Sequence, residues 1–269
     1  MRTPVSTLGL LARAGRTLLD VAVPQLCVGC QAWVGDSGGI CGACREAIGA
    51  AAATPYCPRC GRSAQPLSIT PDGCRRCMSE PFWNIVEAVR VGPYEEPLRA
   101  IVLGLKYRGL ERNAEILADW LAEAMLARPW TGTLDLLAPV PMHLRRRVQR
   151  PGNHALMLAA ALESRLRRAG CRLRLTRAVR RHVYAPSQTT LTSRTRRFEN
   201  VRECFAPRWW PPVNLRGKTV CIVDNLLTTG ATIHEVSKVL RRAGAATIYA
   251  AVVARSVAPG DVQAHSAAV

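Results

Sequence analysis

The stretch TVCIVDNLLTTGAT, residues 219–232, decides the fold. Its first six residues form an apolar run ending on Asp224, the pattern of a strand buried on both faces of a parallel sheet. Residues 225–232 read as a loop, and Ile233 to Ala243 as a helix halted by Gly244. A loop that leads from the carboxyl end of a parallel strand into a helix N-terminus aims backbone N–H groups at one point. Gly230 lets the backbone approach an anion closely, and Thr228, Thr229 and Thr232 add hydroxyl donors. The expected product is a pocket for one phosphate group, with Asp224 beside it to accept hydrogen bonds from sugar hydroxyls.

Outward from this stretch, strands and helices alternate. Ala246 to Val253 and Leu134 to Val140 read as further strands, the latter running into Pro139-Val140-Pro141. Residues 94–107, 111–127 and 152–168 carry helical apolar spacing, as at Leu98, Ile101, Val102 and Leu105. Residues 82–255 are therefore expected to form an α/β domain, a mostly parallel sheet flanked by helices. Residues 256–269 read as a frayed tail. Residues 1–23 read as an amphipathic helix ended by Pro24, because Arg13, Arg16 and Asp20 interrupt the apolar run. No run of about 18 uncharged apolar residues occurs, so no membrane span is expected, and the cytoplasm is the expected compartment.

Residues 24–80 have a different texture, rich in Cys, Gly and Pro and poor in apolar periodicity. Such a segment needs a staple to fold. Eight of the 11 cysteines form Cys-x-x-Cys pairs: Cys27/Cys30, Cys41/Cys44, Cys57/Cys60 and Cys74/Cys77. Thiolates two residues apart supply one edge of a zinc tetrahedron. Pairing consecutive knuckles puts Cys27, Cys30, Cys41 and Cys44 on one zinc ion and Cys57, Cys60, Cys74 and Cys77 on a second. An interleaved pairing, an iron–sulfur cluster and redox dithiols stay open at this level. Neither set leaves an open position, so both zinc ions are read as structural. Gly29, Gly61 and Gly73 are expected to give the knuckles backbone freedom. Cys171, Cys204 and Cys221 stand alone and read as small buried hydrophobes.

The charge is lopsided. The chain holds 37 Lys+Arg against 19 Asp+Glu, a net +18, and residues 141–216 alone hold 18 basic residues against three acids, Glu163, Glu199 and Glu203. A field of this sign favours polyanions, either nucleic acid or phosphate-rich small molecules. Between Arg177 and Phe205, arginines interleave with Tyr184, Phe198 and Phe205. Bases can stack on such aromatics while phosphates meet the arginines. Arg194, Arg196, Arg197 and Phe198 are the candidate nucleic-acid contacts.

The stretch from Val220 to Thr232 resembles the phosphoribosyl-diphosphate motif of type I phosphoribosyltransferases. The whole chain, over roughly residues 20–255, resembles the ComF family (competence protein F, GntX-like), which joins a double zinc ribbon to a type I phosphoribosyltransferase-like domain. The Cys knuckles carry the resemblance, with Tyr94 to Arg99, Leu105-Lys106-Tyr107, Pro139 to Pro141, Arg150 to His154, Gln188 to Val201 and the phosphate loop. The resemblance implies that Asp224 and Asn225 meet the ribose and that Thr228, Thr229, Gly230, Ala231 and Thr232 hold the 5′-phosphate. It implies that Lys106 and Tyr107 act at the pyrophosphate end, with Mg²⁺ bridging ligand oxygens. It also implies a part in DNA uptake during natural competence, by way of single-stranded DNA and the uptake machinery, either as a phosphoribosyltransferase or as a non-catalytic single-stranded-DNA-binding or ligand-sensing protein that retains the phosphoribosyl diphosphate pocket. Asn225 stands where the family usually has a second acid, which implies weaker binding of a Mg²⁺-loaded ligand. Arg150-Pro151-Gly152-Asn153-His154 replaces the family's usual Arg-Gly-Phe-Asn-Gln. Thr228 replaces the loop acid of purine-salvage relatives, which disfavours a purine acceptor.

Overall fold

The computed structural model describes residues 26–35, 39–70, 72–75, 77, 84–108, 111–143, 152–184 and 201–257. The N-terminal helix expected over 1–23 and the candidate contacts Arg194, Arg196, Arg197 and Phe198 lie outside them. In chain order the elements are α1 (Gly42–Ala53), β1 (Ile69–Thr70), β2 (Gly73–Cys74), β3 (Ala88–Pro93), α2 (Leu98–Arg108), α3 (Glu111–Leu126), β4 (Leu136–Pro139), α4 (His154–Arg168), β5 (Arg174–Leu175), β6 (Val179–Arg181), β7 (Phe205–Pro207), β8 (Thr219–Leu227), α5 (Ala231–Arg242) and β9 (Thr247–Arg255). Five strands form one all-parallel sheet in the order β3-β9-β8-β4-β5. Two short antiparallel pairs, β1–β2 and β6–β7, stand apart from it.

Alternation along β8 and β9 sorts side chains onto two faces, as a period of two requires. Cys221, Val223, Ala251 and Val253 join a core with α2, α3 and α4. Val220, Ile222, Ile248, Ala250 and Val252 join a second core with α5 and the β6–β7 pair. Both faces are covered, so the sheet strands read as apolar runs. Among the described residues, no helix is long and apolar enough to cross a membrane.

The cysteine-rich segment is built into this sandwich. Cys27 and Cys44 belong to the first core and Cys57, Cys60, Cys74 and Cys77 to the second. The edge strand β3 is buried along its whole length, because this segment covers it. The Ala88 N–H donates to Pro58 O at 2.6 Å, and Gly92 packs so closely on α1 that a methyl there would lie 3.2 Å from Ala51 Cβ. A sheet edge that would otherwise offer unpaired groups is thereby closed.

Candidate functional site

From β4 the chain crosses through α4 to β5, on one side of the sheet order. From β8 it crosses through α5 to β9, on the other side. The neighbours β4 and β8 therefore flank a topological switch point, where parallel sheets open a crevice at their carboxyl ends. A cavity of about 170 Å³ lies there. Its walls include Val140 to Met142 after β4, Asn153 to Ala155 at the start of α4, and Asp224 to Thr228 with Gly230, Thr232 and Ile233. Lys106 and Tyr107, from the end of α2, complete it with Arg181 of β6.

Two helix N-termini converge on this cavity. Asn153 caps α4, its Oδ1 accepting from the Ala155 and Leu156 N–H groups at 3.1 and 3.4 Å. Gly230 is the N-cap of α5 and has φ 84°, a left-handed conformation that glycine adopts without strain. It makes no side-chain cap, so first-turn N–H groups that lack carbonyl acceptors within the helix face the crevice. An anion there meets both backbone donors and the positive end of the dipole.

Strand β8 runs three residues beyond Asp224, to Leu227, whereas the sequence pattern places a loop from Asn225 onward. Leu226 and Leu227 still pair with Ala254 and Arg255 on β9, which extends the ladder. The loop proper is only Thr228 to Gly230, and the helix begins at Ala231. The extension puts Asp224 and Asn225 in the wall of the crevice, behind the loop. Asn225 is 2% exposed, and its Nδ2 has no hydrogen-bond partner among the described residues. A buried amide in that state costs stability unless a ligand or water meets it. The Asn225 N–H donates to Asp224 Oδ1 at 2.8 Å. Burial pushes the Asp224 carboxyl up to about 6, against the opposing pull of the Lys106 ammonium and the backbone N–H groups of Asn225 and Leu226.

The structure thus brings Lys106, Tyr107, Asp224, Asn225, Thr228, Gly230 and Thr232 to one cavity. Thr229 and Ala231 are not in its lining: the Thr229 hydroxyl turns back to accept from the Ala231 N–H at 3.4 Å. Among the described residues of the lining, Asp224 is the one acid, with Lys106 and Arg181 as cations. Phe205, read as a stacking aromatic, is buried in the second core with the Arg181 guanidinium 5.5 Å from its ring centroid. Its place in the β6–β7 pair turns it inward.

The cysteines gather as two sequential tetrads, Cys27/Cys30/Cys41/Cys44 and Cys57/Cys60/Cys74/Cys77, each with all four sulfurs within 4.8 Å of one another. A tetrahedron with zinc–sulfur bonds of about 2.3 Å has edges of about 3.8 Å. Cys30–Cys41 at 3.6 Å, Cys60–Cys74 at 3.7 Å and Cys74–Cys77 at 3.6 Å match that size. Backbone N–H groups also reach the sulfurs, from Gly29 and Cys41 to Cys27 Sγ at 3.4 and 3.3 Å. Four touching thiols cannot all ionise unaided: hydrogen bonding from Cys60 draws Cys57 down to about 6, while hydrogen bonds to Cys57 push Cys60 and Cys77 up. The donor set fits a structural divalent zinc, whose charge removes that conflict. Gly29 is needed for space rather than for backbone freedom, since a methyl there would lie 2.8 Å from Cys44 Sγ.

Residues 18–80 match the double zinc ribbon domain, and residues 151–266 match the phosphoribosyl transferase domain. The chain is 33% identical over 233 residues to the DNA utilization protein YhgH of Salmonella typhimurium, covering 85% of this chain and 96% of that one. It belongs to the ComF family. Competence protein F of Haemophilus influenzae is 29% identical over 210 residues, covering 77% of this chain and 86% of its own. A solved purine phosphoribosyltransferase from Pyrococcus horikoshii Ot3 covers 53% of this chain and 82% of its own at 19% identity, with a TM-score of 0.31, too distant to bear on the site.

Two pocket residues of this ComF-family chain escaped the sequence reading. Met142 follows Pro141 with no local pattern to mark it. Arg181 is one arginine in a long basic stretch, and only the pairing of β6 with β7 turns it toward the crevice.

Proposed function

We propose that this chain binds phosphoribosyl diphosphate at the switch point between β4 and β8, and that it works in the uptake and use of DNA. The observation that carries the ligand reading is the arrangement behind the loop: a carboxylate, a buried Asn225 amide whose Nδ2 has no partner among the described residues, and a helix start whose N-cap, Gly230, carries no side chain. In this reading the Thr228–Thr232 loop holds the 5′-phosphate through backbone N–H groups and the Thr228 and Thr232 hydroxyls. Asp224 accepts from the ribose hydroxyls and Asn225 donates to one. Lys106 and Tyr107 meet the pyrophosphate, and Arg181 adds positive charge. Among the described residues the pocket offers one carboxylate, Asp224; Mg²⁺ arriving with the pyrophosphate would supply charge neutralisation. Transfer would form a bond from an acceptor's lone pair to ribose C1 as the bond from C1 to the pyrophosphate oxygen breaks, that electron pair leaving with pyrophosphate. Among the described lining residues, Asp224 and His154 could take a proton from that acceptor.

The DNA reading is supported by relatives named for DNA utilization and for competence. The cytoplasm suits a chain whose cysteines gather in metal-type tetrads.

Calorimetry with phosphoribosyl diphosphate and Mg²⁺ tests the pocket. Wild-type protein is expected to bind, and ribose 5-phosphate to compete. Gly230→Val forces a β-branched residue into the left-handed region, a strain of about 1–3 kcal/mol, and blocks the anion's approach. A tenfold or greater loss of affinity is expected. Unchanged affinity in that variant would show that the ligand sits elsewhere.

A further inference from the structure

Beside the phosphate crevice lies a second, wider hollow of about 490 Å³. The two share Pro141, Met142, Asn153 and Arg181 as a common wall. Its far side carries Arg177, Arg180 and Arg208 and ends on Trp209 and Trp210. Among the described residues none of its lining is acidic. The two tryptophans are 76% and 68% exposed, the opposite of what large aromatics do when they serve a core. They are nonetheless held in place: the Arg208 N–H donates to Ala178 O at 2.7 Å, and Arg208 Nε donates to Trp210 O at 2.8 Å. This anchors the turn after β7 to the start of β6.

We propose that this hollow is a binding groove for single-stranded DNA, with unpaired bases stacked on Trp209 and Trp210 and the strand's phosphates running along Arg177, Arg180 and Arg208. Charge complementarity selects a polyanion, and an exposed aromatic pair beside the cations selects one whose bases are free to stack. A duplex hides its base faces and could use the arginines alone. The choice of DNA rests on the DNA-handling reading given above, whereas the groove's residues are independent of the phosphate loop. The shared wall adds a consequence: a strand in the groove lies against the crevice, so the two ligands feel one another.

The experiment uses full-length zinc-loaded protein and a fluorescein-labelled thirty-nucleotide oligo-dT, read by anisotropy across a salt series. Phosphoribosyl diphosphate affinity is measured in parallel by calorimetry. Wild-type protein is expected to bind the oligonucleotide, with log affinity falling by about 0.7 per neutralised phosphate for each decade of salt. Trp209→Ala/Trp210→Ala should lose at least about tenfold in affinity, and Trp209→Phe/Trp210→Phe should recover most of it. Arg177→Glu/Arg180→Glu should weaken binding and flatten the salt slope. Melting curves matching wild type verify that these surface changes leave the fold intact. Equal affinity in wild type and the double alanine variant overturns the proposal, as does an oligo-U bound tenfold more tightly than oligo-dT or failure to bind oligo-dT at low salt. If oligo-dT binds through the tryptophans while phosphoribosyl diphosphate does not bind, the groove stands and the pocket reading falls. The reverse result removes the groove alone.

Discussion

The two cysteine tetrads are near copies in sequence, yet the fold uses them differently. The first is partly open: Cys30 is exposed and Cys41 half-buried. Cys41 also serves as N-cap of α1, accepting from the Cys44 N–H at 3.4 Å, so this metal site starts a helix that packs on β3 and puts Ile48 in the first core. The second is wholly buried and lies on the other face of the sheet. Its knuckle glycine, Gly61, nests among Leu227, Arg90 and Arg255, all 3.9 Å from where its Cβ would be. Arg255 Nη1 in turn donates to Leu227 O at 3.0 Å, and Leu227 is the last residue before the phosphate loop. One tetrad secures a helix; the other underlies the pocket. Matching knuckles thus say nothing about what a zinc site supports, which depends on the face it meets.

The largest expected effect comes from breaking each tetrad in turn. Elemental analysis should find about two zinc ions per wild-type chain and about one in either Cys30→Ser or Cys57→Ser. Cys57→Ser should cost on the order of 4 kcal/mol or more in denaturant unfolding, because the lost metal is part of the core. It should also lower phosphoribosyl diphosphate affinity. Cys30→Ser, at the open corner, should destabilise less and leave that affinity near wild type. Equal losses of affinity in the two variants would erase the distinction.

A smaller effect sharpens the picture on the pocket side. The Asp224 carboxyl is raised to about 6, above its ordinary value of about 4. The folded chain therefore takes up a proton as pH falls from about 6 to about 4, and the ionised group costs stability above that window. Asp224→Asn should stabilise the ligand-free protein at pH 7–8 by roughly 1–2 kcal/mol after solvent screening, a gain that fades below about pH 4. Ligand affinity in wild type should rise as pH climbs through 6, when the carboxylate can accept from ribose, and this rise should vanish in Asp224→Asn. Calorimetry at pH 5, 6 and 7 reads it, and a pH-independent wild-type affinity would remove Asp224 from the ribose site.

The smallest effect belongs to Thr229. Its hydroxyl turns back onto the Ala231 N–H rather than lining the crevice. Thr229→Ala should cost about 1 kcal/mol of stability and change ligand affinity by less than threefold, with zinc content unaltered. A tenfold loss of affinity would put its hydroxyl on the phosphate.

Much of this was visible in the sequence where chemistry is local. The apolar run into Asp224, the threonine and glycine of the loop, and the paired cysteines each state their role within a few residues. What stayed hidden depends on distant contacts. Strand β3 has Arg90 at its middle and Gly92-Pro93 at its end, poor marks for a buried strand. It is one because Arg90 reaches Ser63 at 2.9 Å and lies 5.0 Å from the Tyr56 ring centroid. The helix α1 sits in a segment whose cysteines mask its alanines. The opposite faces taken by the two tetrads are encoded by no spacing at all. Trp209 and Trp210 follow an irregular, proline-flanked stretch, and only their exposure beside Arg208 marks them.

Strand β3 pairs in the sheet with β9 alone, Ala88 against Ala250. During synthesis β3 is made well before β9, so the sheet cannot close along that edge until β9 has emerged. Contacts of such long sequence separation form slowly, and an unpaired strand left waiting invites the wrong neighbour. The cysteine knuckles need no such delay, since their spans are short. Metal loading ahead of sheet closure would put Pro58 and α1 over the waiting strand, making zinc supply a matter of yield during biogenesis as well as of stability afterwards.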